Sequence, residues 1–296
     1  MLKNKTLKGV LLVGLGASSY GMLATFVKMA YDEGFTTAEI SGSQFLLGLF
    51  ALIIINLFRK KKSSSEEIQI SKHQIRRLVL AGTSIGLTSV FYYLSVKYVP
   101  VSISIVLLMQ TVWMGVILEM LIERKRPSIQ KTIAVLLTLF GTVLATNLLQ
   151  DKIIIEWKGV FWGLLAAASY TLNLFSSNKV ATEISSLQRS LYMLVGGLLI
   201  ILFFGFLTQQ TPFDGSIFIK WGLVLSLFGT VIPPILFNTG FPLTGLGLGS
   251  IVSALELPVS VMMAYFLLSE NVNWVQWLGI SIILIAIMFM KIRLKK

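Results

Sequence analysis

The chain has no cysteine, a single histidine and few charges: only 13% of its 296 residues are Asp, Glu, Lys or Arg. Without cysteine, disulfide frameworks and thiolate metal sites are excluded. His73 stands alone in a basic stretch, which leaves no cluster of nitrogen or sulfur ligands; neither a metal nor a cofactor is expected. A water-soluble globule carries about a quarter charged residues, so this composition is not made for water. Acid is scarcer than base, 13 residues against 25 for a net charge of +12. The bases sit at the ends of apolar runs rather than across a folded surface, and no nucleic-acid partner is expected. Missing too are paired catalytic carboxylates, a nucleophile-base arrangement and a phosphate-binding glycine loop, since the run Thr244-Gly245-Leu246-Gly247-Leu248-Gly249-Ser250 lacks the lysine such a loop needs.

What the chain does have is apolar length. Hydrophobic residues make up 55% of it and the mean hydropathy is +0.82. A bilayer-spanning helix needs about 20 mostly apolar residues. Ten such stretches are legible, over 7–30, 36–58, 76–97, 99–122, 129–149, 157–178, 187–208, 217–240, 243–268 and 274–292. Each is read as a helix because backbone amides in hydrocarbon must be bonded within the segment. The first run is too long for a signal-peptide core and is expected to be a retained span.

Lys and Arg are held on the cytoplasmic side during insertion. One set of connections is basic: Lys3, Lys5 and Lys8; Arg59 to Lys62 with Lys72, Arg76 and Arg77; Arg124 to Arg126 with Lys131; Lys179 and Arg189; and Lys291, Arg293, Lys295 and Lys296. The alternate set holds Asp32, Glu33, Glu39, Asp151, Glu156, Asp214 and Glu270. Both termini are therefore expected in the cytoplasm, which requires an even number of spans.

An internal repeat organises the chain. Lys8-Gly9-Val10 and Ala17-Ser18-Ser19-Tyr20 recur as Lys158-Gly159-Val160 and Ala167-Ala168-Ser169-Tyr170 at identical spacing. Gly82-Thr83 recurs as Gly229-Thr230, Glu123 as Glu270, and Gly48 falls opposite Gly196. Units of five spans, over 1–149 and 150–296, must enter the membrane from opposite sides. The expected fold is thus all-α: ten transmembrane helices in two inverted five-helix repeats, an architecture that places a site near the midplane.

On these residues the chain resembles the EamA-type ten-helix members of the drug/metabolite transporter superfamily over essentially its full length. Tyr20-Gly21 with Lys28 is similar to the family's aromatic-Gly-then-Lys pattern, with Tyr170 and Lys179 as a weaker second copy. Leu121-Ile122-Glu123-Arg124 and Leu267-Leu268-Ser269-Glu270 resemble the ends of its fourth helices, and Glu256-Leu257-Pro258 the Glu-x-Pro step of its ninth. The sequence departs from the family at Gln44, where many members have arginine, at Tyr20, usually tryptophan, and at Gln110-Thr111, where proline is common. The resemblance implies alternating-access movement of a small organic solute, most often export, with no ATP-binding part and no enzymatic activity.

An ionisable group in mid-membrane costs several kcal/mol unless it faces protein or water, which makes Glu256 the strongest candidate, for a coupling proton or a cationic substrate group. A carboxyl that merely joins two helices is the alternative. Gln110 and Trp113 lie in the fourth span, the pseudo-symmetric partner of the ninth, where an interhelical hydrogen bond would explain Gln110 equally well. Tyr20, Tyr92, Asn173 and Asn238 are mid-span polar residues on helices that, by the resemblance, border the substrate path; two or three of the four are expected to line it, the asparagines foremost. Gln44 is a further candidate. Lys28 either snorkels to the headgroups or guards the outer mouth, and Glu119 is expected to pair with the Arg124 to Arg126 cluster. Pro233-Pro234, Pro258 and Pro100 mark kinks. The bland reading of Ser63-Ser64-Ser65 and its basic neighbours is a solvated loop near anionic headgroups.

The expected activity is secondary transport, with a small-molecule substrate, the lipid bilayer and protons as partners, in a monomer or homodimer of the cell's inner (plasma) membrane. The competing classes are an intramembrane lipid-modifying enzyme, which would want clustered His, Asp or Glu, and a non-transporting membrane subunit, which would not need a repeat.

Overall fold

The computed structural model describes residues 2–62, 70–99, 101–146 and 156–290. Pro100, Ser63 to Ser65, Asp151 and the C-terminal bases Lys291, Arg293, Lys295 and Lys296 lie outside the described residues. The described chain is helical: α1 (Leu2–Asp32), α2 (Thr37–Lys62), α3 (Lys72–Tyr98), α4 (Val101–Leu108), α5 (Thr111–Glu123), α6 (Ile129–Ala145), α7 (Trp157–Lys179), α8 (Ser186–Thr208), α9 (Leu223–Ser226), α10 (Ile232–Thr244), α11 (Leu246–Ser253), α12 (Glu256–Leu267) and α13 (Trp274–Phe289). No strand occurs among the described residues. Two π-helical turns, Phe218–Gly222 and Leu227–Val231, flank α9 and run into Pro233-Pro234. These prolines sit in the first turn of α10, and Ser19 Oγ of α1 donates at 2.9 Å to the Phe228 carbonyl that Pro233, having no N–H, leaves free.

Eight helical stretches are long and apolar enough to cross a membrane, and α6 and α13 are shorter apolar helices. Large apolar side chains stand open around the outside of the bundle, among them Phe50, Leu57, Phe206, Ile219 and Phe266. A surface of this kind is suited to lipid, not to water. Hydropathy is continuous across 99–122 and 243–268, so each reads as one span. The structure instead breaks both in the middle, between α4 and α5 and between α11 and α12.

The packing follows the repeat. Helix α1 lies along α10 as α7 lies along α3; α2 meets α8, α5 meets α11, and α6 meets α13. Glycine permits the closest crossings: a Cβ on Gly82 would stand 1.8 Å from Met193 O, and one on Gly196, 1.9 Å from Val79 O. The face that carries Leu2 and the end of α13 is termed here the terminal face. At both faces a loop carboxylate reaches the third helix of the other half. At the terminal face Glu183 accepts a hydrogen bond from Gln74 Nε2 at 2.7 Å. At the opposite face Glu33 pairs with Lys220 at 3.5 Å. Glu183 and Glu33 stand at the same separation as Tyr170 and Tyr20.

Candidate functional site

Both mid-span breaks leave helix ends inside the bundle, and each half handles them differently. In the first, Gln110 N bonds to Leu107 O, which releases Val106 O from its helical partner. The Gln110 side chain restores the balance by donating Nε2–H to Val106 O at 2.9 Å, while its Oε1 accepts from Trp113 Nε1 at 2.8 Å. In the second half Pro258, with no N–H, forces the break, and Glu256 opens α12. Its carboxylate accepts one hydrogen bond, from Tyr170 Oη on α7 at 3.2 Å.

Tyr20 of α1 stands edge-on to Tyr170, with ring centroids 6.4 Å apart, and backs onto Phe237 at 5.6 Å. Tyr20 adjoins Gly21, the residue at which α1 meets Glu256, and Tyr92 stands on α3. The order continues outward, away from the terminal face, through Tyr92 to Tyr93 at 6.1 Å and Tyr93 to Tyr31 at 6.5 Å. Tyr31 is 37% exposed and hydrogen-bonds Thr37 Oγ1. The five tyrosines thus form two groups, Tyr170 with Tyr20 beside the Glu256 carboxylate and Tyr92, Tyr93 and Tyr31 toward the far end of α1.

The hydroxyls of Tyr20 and Tyr92 and the amide of Asn173, one turn beyond Tyr170, have no hydrogen-bond partner among the described residues. Nor are they among the side-chain atoms fully buried without one, which there are Thr138 Oγ1, Trp221 Nε1 and Asn238 Oδ1. Each therefore keeps some surface, although Asn173 as a whole is buried. Glu256, Tyr20, Tyr92, Gln110 and Trp113 are all only partly buried. Gly21 brings α1 to the break, since a Cβ there would stand 2.4 Å from Glu256 O. Across the repeat the α7 crossing is made by paired hydroxyls instead, Thr171 to Thr111 at 2.9 Å.

At the terminal face three helices of the second half are tied together. Arg189, 1% exposed, donates from Nε to Val180 O at 2.9 Å, from Nη1 to Asn238 O at 2.7 Å, and from Nη2 to Ser176 O and Ser177 O at 3.1 and 2.8 Å. The Asn238 carbonyl is available because Pro242, four residues on, has no N–H to offer it. Asn178 Nδ2 donates to Phe241 O at 2.6 Å. Helix α10 thereby packs on both α7 and α8, whereas among the described residues the corresponding contacts of α3 with α1 and α2 are marginal. The tyrosines stand between α1 and α3, which are not closely packed on each other, and Tyr31 meets Tyr93 across them at the end away from the terminal face.

Several expectations change. Asn238 belongs to the Arg189 tie, donating to Ser190 Oγ at 2.9 Å, and not to the Glu256 cleft. Gln44 is buried against Gly229, and its carbonyl accepts from Thr230 Oγ1 at 3.0 Å, so it has no contact with Glu256. Glu119 pairs with Lys131, not with Arg124 to Arg126, and also accepts Gly247 N–H at 3.0 Å at the start of α11. A carboxylate is drawn there because the first turn of a helix presents unpaired N–H groups. Lys28 pairs with Glu270 at the open end, both half-exposed. Tyr170, Tyr93 and Tyr31 were not among the expected site residues, although the repeat pairs Tyr170 with Tyr20. Arg189 reads in sequence as one more topogenic base; its position in the first turn of an apolar helix was the available signal.

Apolar helices with a lipid-suited exterior and a polar interior cleft define a multi-pass integral membrane protein. The profile of the EamA-like transporter family matches residues 7–147 and again 157–292. The chain belongs to that family, within the drug/metabolite transporter superfamily. A solved structure described as "Crystal structure of protein" is similar at a TM-score of 0.78, covering 95% of this chain and 96% of that one at 12% identity. At that identity the likeness concerns the fold alone. No curated protein matches the chain.

Proposed function

We propose that this protein is a secondary active transporter that exports small organic solutes from the cell across its inner membrane by alternating access, with protons as coupling ion at Glu256. In this reading ten helices cross the bilayer as two inverted units, 1–149 and 150–296, and the terminal face, where Lys and Arg concentrate, is cytoplasmic. The observation that supports it is a carboxylate at a mid-span helix break, bonded to Tyr170 and without an ion-pair partner among the described residues. A site reached from one side at a time is what alternating access requires. Rocking one unit against the other would carry the Arg189 tie along with the second unit, since all of its partners lie there. Each chain holds a whole site, so a monomer suffices and a homodimer would work as two copies.

Counterflow in proteoliposomes tests this, using labelled amino acids, nucleosides and cationic dyes with and without an imposed pH gradient. The expected result is solute exchange that a pH gradient accelerates and that Glu256→Gln uncouples from pH. If no solute of any class moves, or if Glu256→Gln matches the parent in rate and pH dependence, the reading fails.

A further inference from the structure

We propose that Glu119 is the latch between the two units at the terminal face: held in the first turn of α11, its carboxylate keeps the terminal halves of the fourth and ninth spans together, and its withdrawal from Gly247 is the step that opens that face. This rests on the transporter reading above and assigns to one residue the opening that alternating access requires.

The first argument is where the units are joined. The fourth span consists of α4 and α5, the ninth of α11 and α12. Toward the terminal face α5 and α11 cross closely, near enough that a Cβ on Gly115 would run into Ser250 Oγ. Toward the opposite face the same spans part: α4 packs on α7, α3 and α6, and α12 on α1, α6 and α13, with at most marginal contact between α4 and α12. The bonds at the joined end therefore decide whether the spans can part there too.

The second argument is the fit. Glu119 of α5 reaches across the unit boundary and accepts Gly247 N–H at 3.0 Å with Oε1, while Oε2 pairs with Lys131 of α6. The receptacle is cut to this carboxylate. Gly245 makes the turn into α11 with a φ of 79°, and a Cβ on it would stand 3.1 Å from Oε1; one on Gly247 would run into Oε2 and stand 3.2 Å from Lys131 Nζ. The Glu119 side chain is 11% exposed. Gln74 to Glu183 also crosses between the units at this face, but in the open, and Asn56 Nδ2 reaches Leu187 O only at 3.4 Å.

The third argument is that the contact is built to be broken. Lys131 belongs to the same unit as Glu119, so it stays with the carboxylate when α11 moves away. Parting then costs one hydrogen bond and leaves no buried charge unpaired. Among the described residues the opposite face has no equivalent. At the separation that pairs Glu123 with Glu270, Glu119 falls opposite Phe266, which is 73% exposed. The ion pairs between the units there, Lys28 with Glu270 and Lys220 with Glu33, are half-exposed and hold weakly.

The test is double electron–electron resonance on the full chain in lipid nanodiscs, with spin labels on exposed pairs that take one residue from each unit. Glu123→Cys with Thr182→Cys reports the terminal face, and Lys97→Cys with Leu267→Cys the opposite face. The natural chain has no cysteine, so every label has one place to go. Glu119→Ala should raise the share of long terminal-face distances about tenfold and shorten those of the opposite-face pair, as release of a two-state element requires. Gly247→Ala should do the same with Glu119 and Lys131 intact, because alanine suits a helical turn but leaves the carboxylate no room. Glu119→Gln, which keeps an acceptor for Gly247, should fall between the parent and Glu119→Ala. Unchanged distances at both faces in Glu119→Ala and Gly247→Ala overturn the proposal, as do longer terminal-face distances without shortening opposite, which mark local fraying. Counterflow by the parent alongside either of those results would sink this inference and leave the transporter reading standing.

Discussion

The two halves of this molecule meet the same difficulty, a helix broken in the middle of the membrane, and resolve it in opposite ways. Gln110 turns inward on its own break, using both ends of its amide on Val106 and Trp113. Glu256, one position away across the repeat, leaves its carboxylate to a single tyrosine and open space. The difference extends to the ends of the bundle. Where the second half has Arg189, the first has Ser41; where the second has Asn178 bonded to Phe241 O, the first has Lys28, paired at the exposed rim. Duplication supplies a symmetric frame, and divergence at a few positions makes one break acidic and ties the helices of one half together at the terminal face. The loop ties are the control, since Glu33 and Glu183 still do equivalent work.

The largest effect in this comparison should come from removing what only the second half has. Arg189→Gln strips most of the donors from Val180, Ser176, Ser177 and Asn238 carbonyls, and bonds from a charged donor are worth about 1.5–3 kcal/mol each. The terminal face should loosen: a cysteine introduced at Ser177 should be labelled several-fold faster by an impermeant maleimide, and the thermal midpoint should drop. Unchanged labelling and melting would mean that the face is held by helix packing and not by this arginine.

A middle-sized effect should separate the two crossings at the breaks. Gly21→Ala drives a methyl into Glu256 O and must displace α1 or α12, at about 1–3 kcal/mol. Thr171→Ala on the other side gives up one interhelical hydrogen bond, at about 1 kcal/mol or less. Solute flux should fall further in the glycine variant, and equal losses would show that the Gly21 contact positions nothing.

The smallest effects belong to the loop ties. Lys220→Gln breaks a half-exposed pair worth about 0–1 kcal/mol. At the terminal face, the Glu183 backbone amide and then Gln74 hold the Glu183 carboxyl below its usual range. A carboxyl depressed in the folded state stabilises it above the unfolded pKa, and that contribution is lost as pH falls through the folded value. Gln74→Ala should therefore raise the Glu183 pKa in a carbon-detected NMR titration and blunt the acid sensitivity of melting slightly.

The helices themselves were legible because hydrocarbon demands long apolar runs, and the expected spans lie within a few residues of the observed ones. The breaks were not, because hydropathy does not register a change of hydrogen-bond partner: Val101 to Glu123 is apolar on both sides of Gln110. Glu256 and Tyr20 are joined through Tyr170, which the repeat pairs with Tyr20. Asn238 and Gln44 have the same polarity at similar depth, but they point at other helices, and one sequence contains no record of which way a mid-span amide turns. Arg189 was hidden by a sound rule, since bases near helix ends are ordinarily topogenic.

The carbonyl that Pro242 frees has a further consequence. A guanidinium that leaves four oxygens at the membrane edge must find others, and the phosphodiester headgroups of the bilayer are the nearest supply. The lipid would then compete with Asn238 for the same side chain, so that a membrane richer in anionic phospholipid would loosen the hold of α8 on α7 and α10.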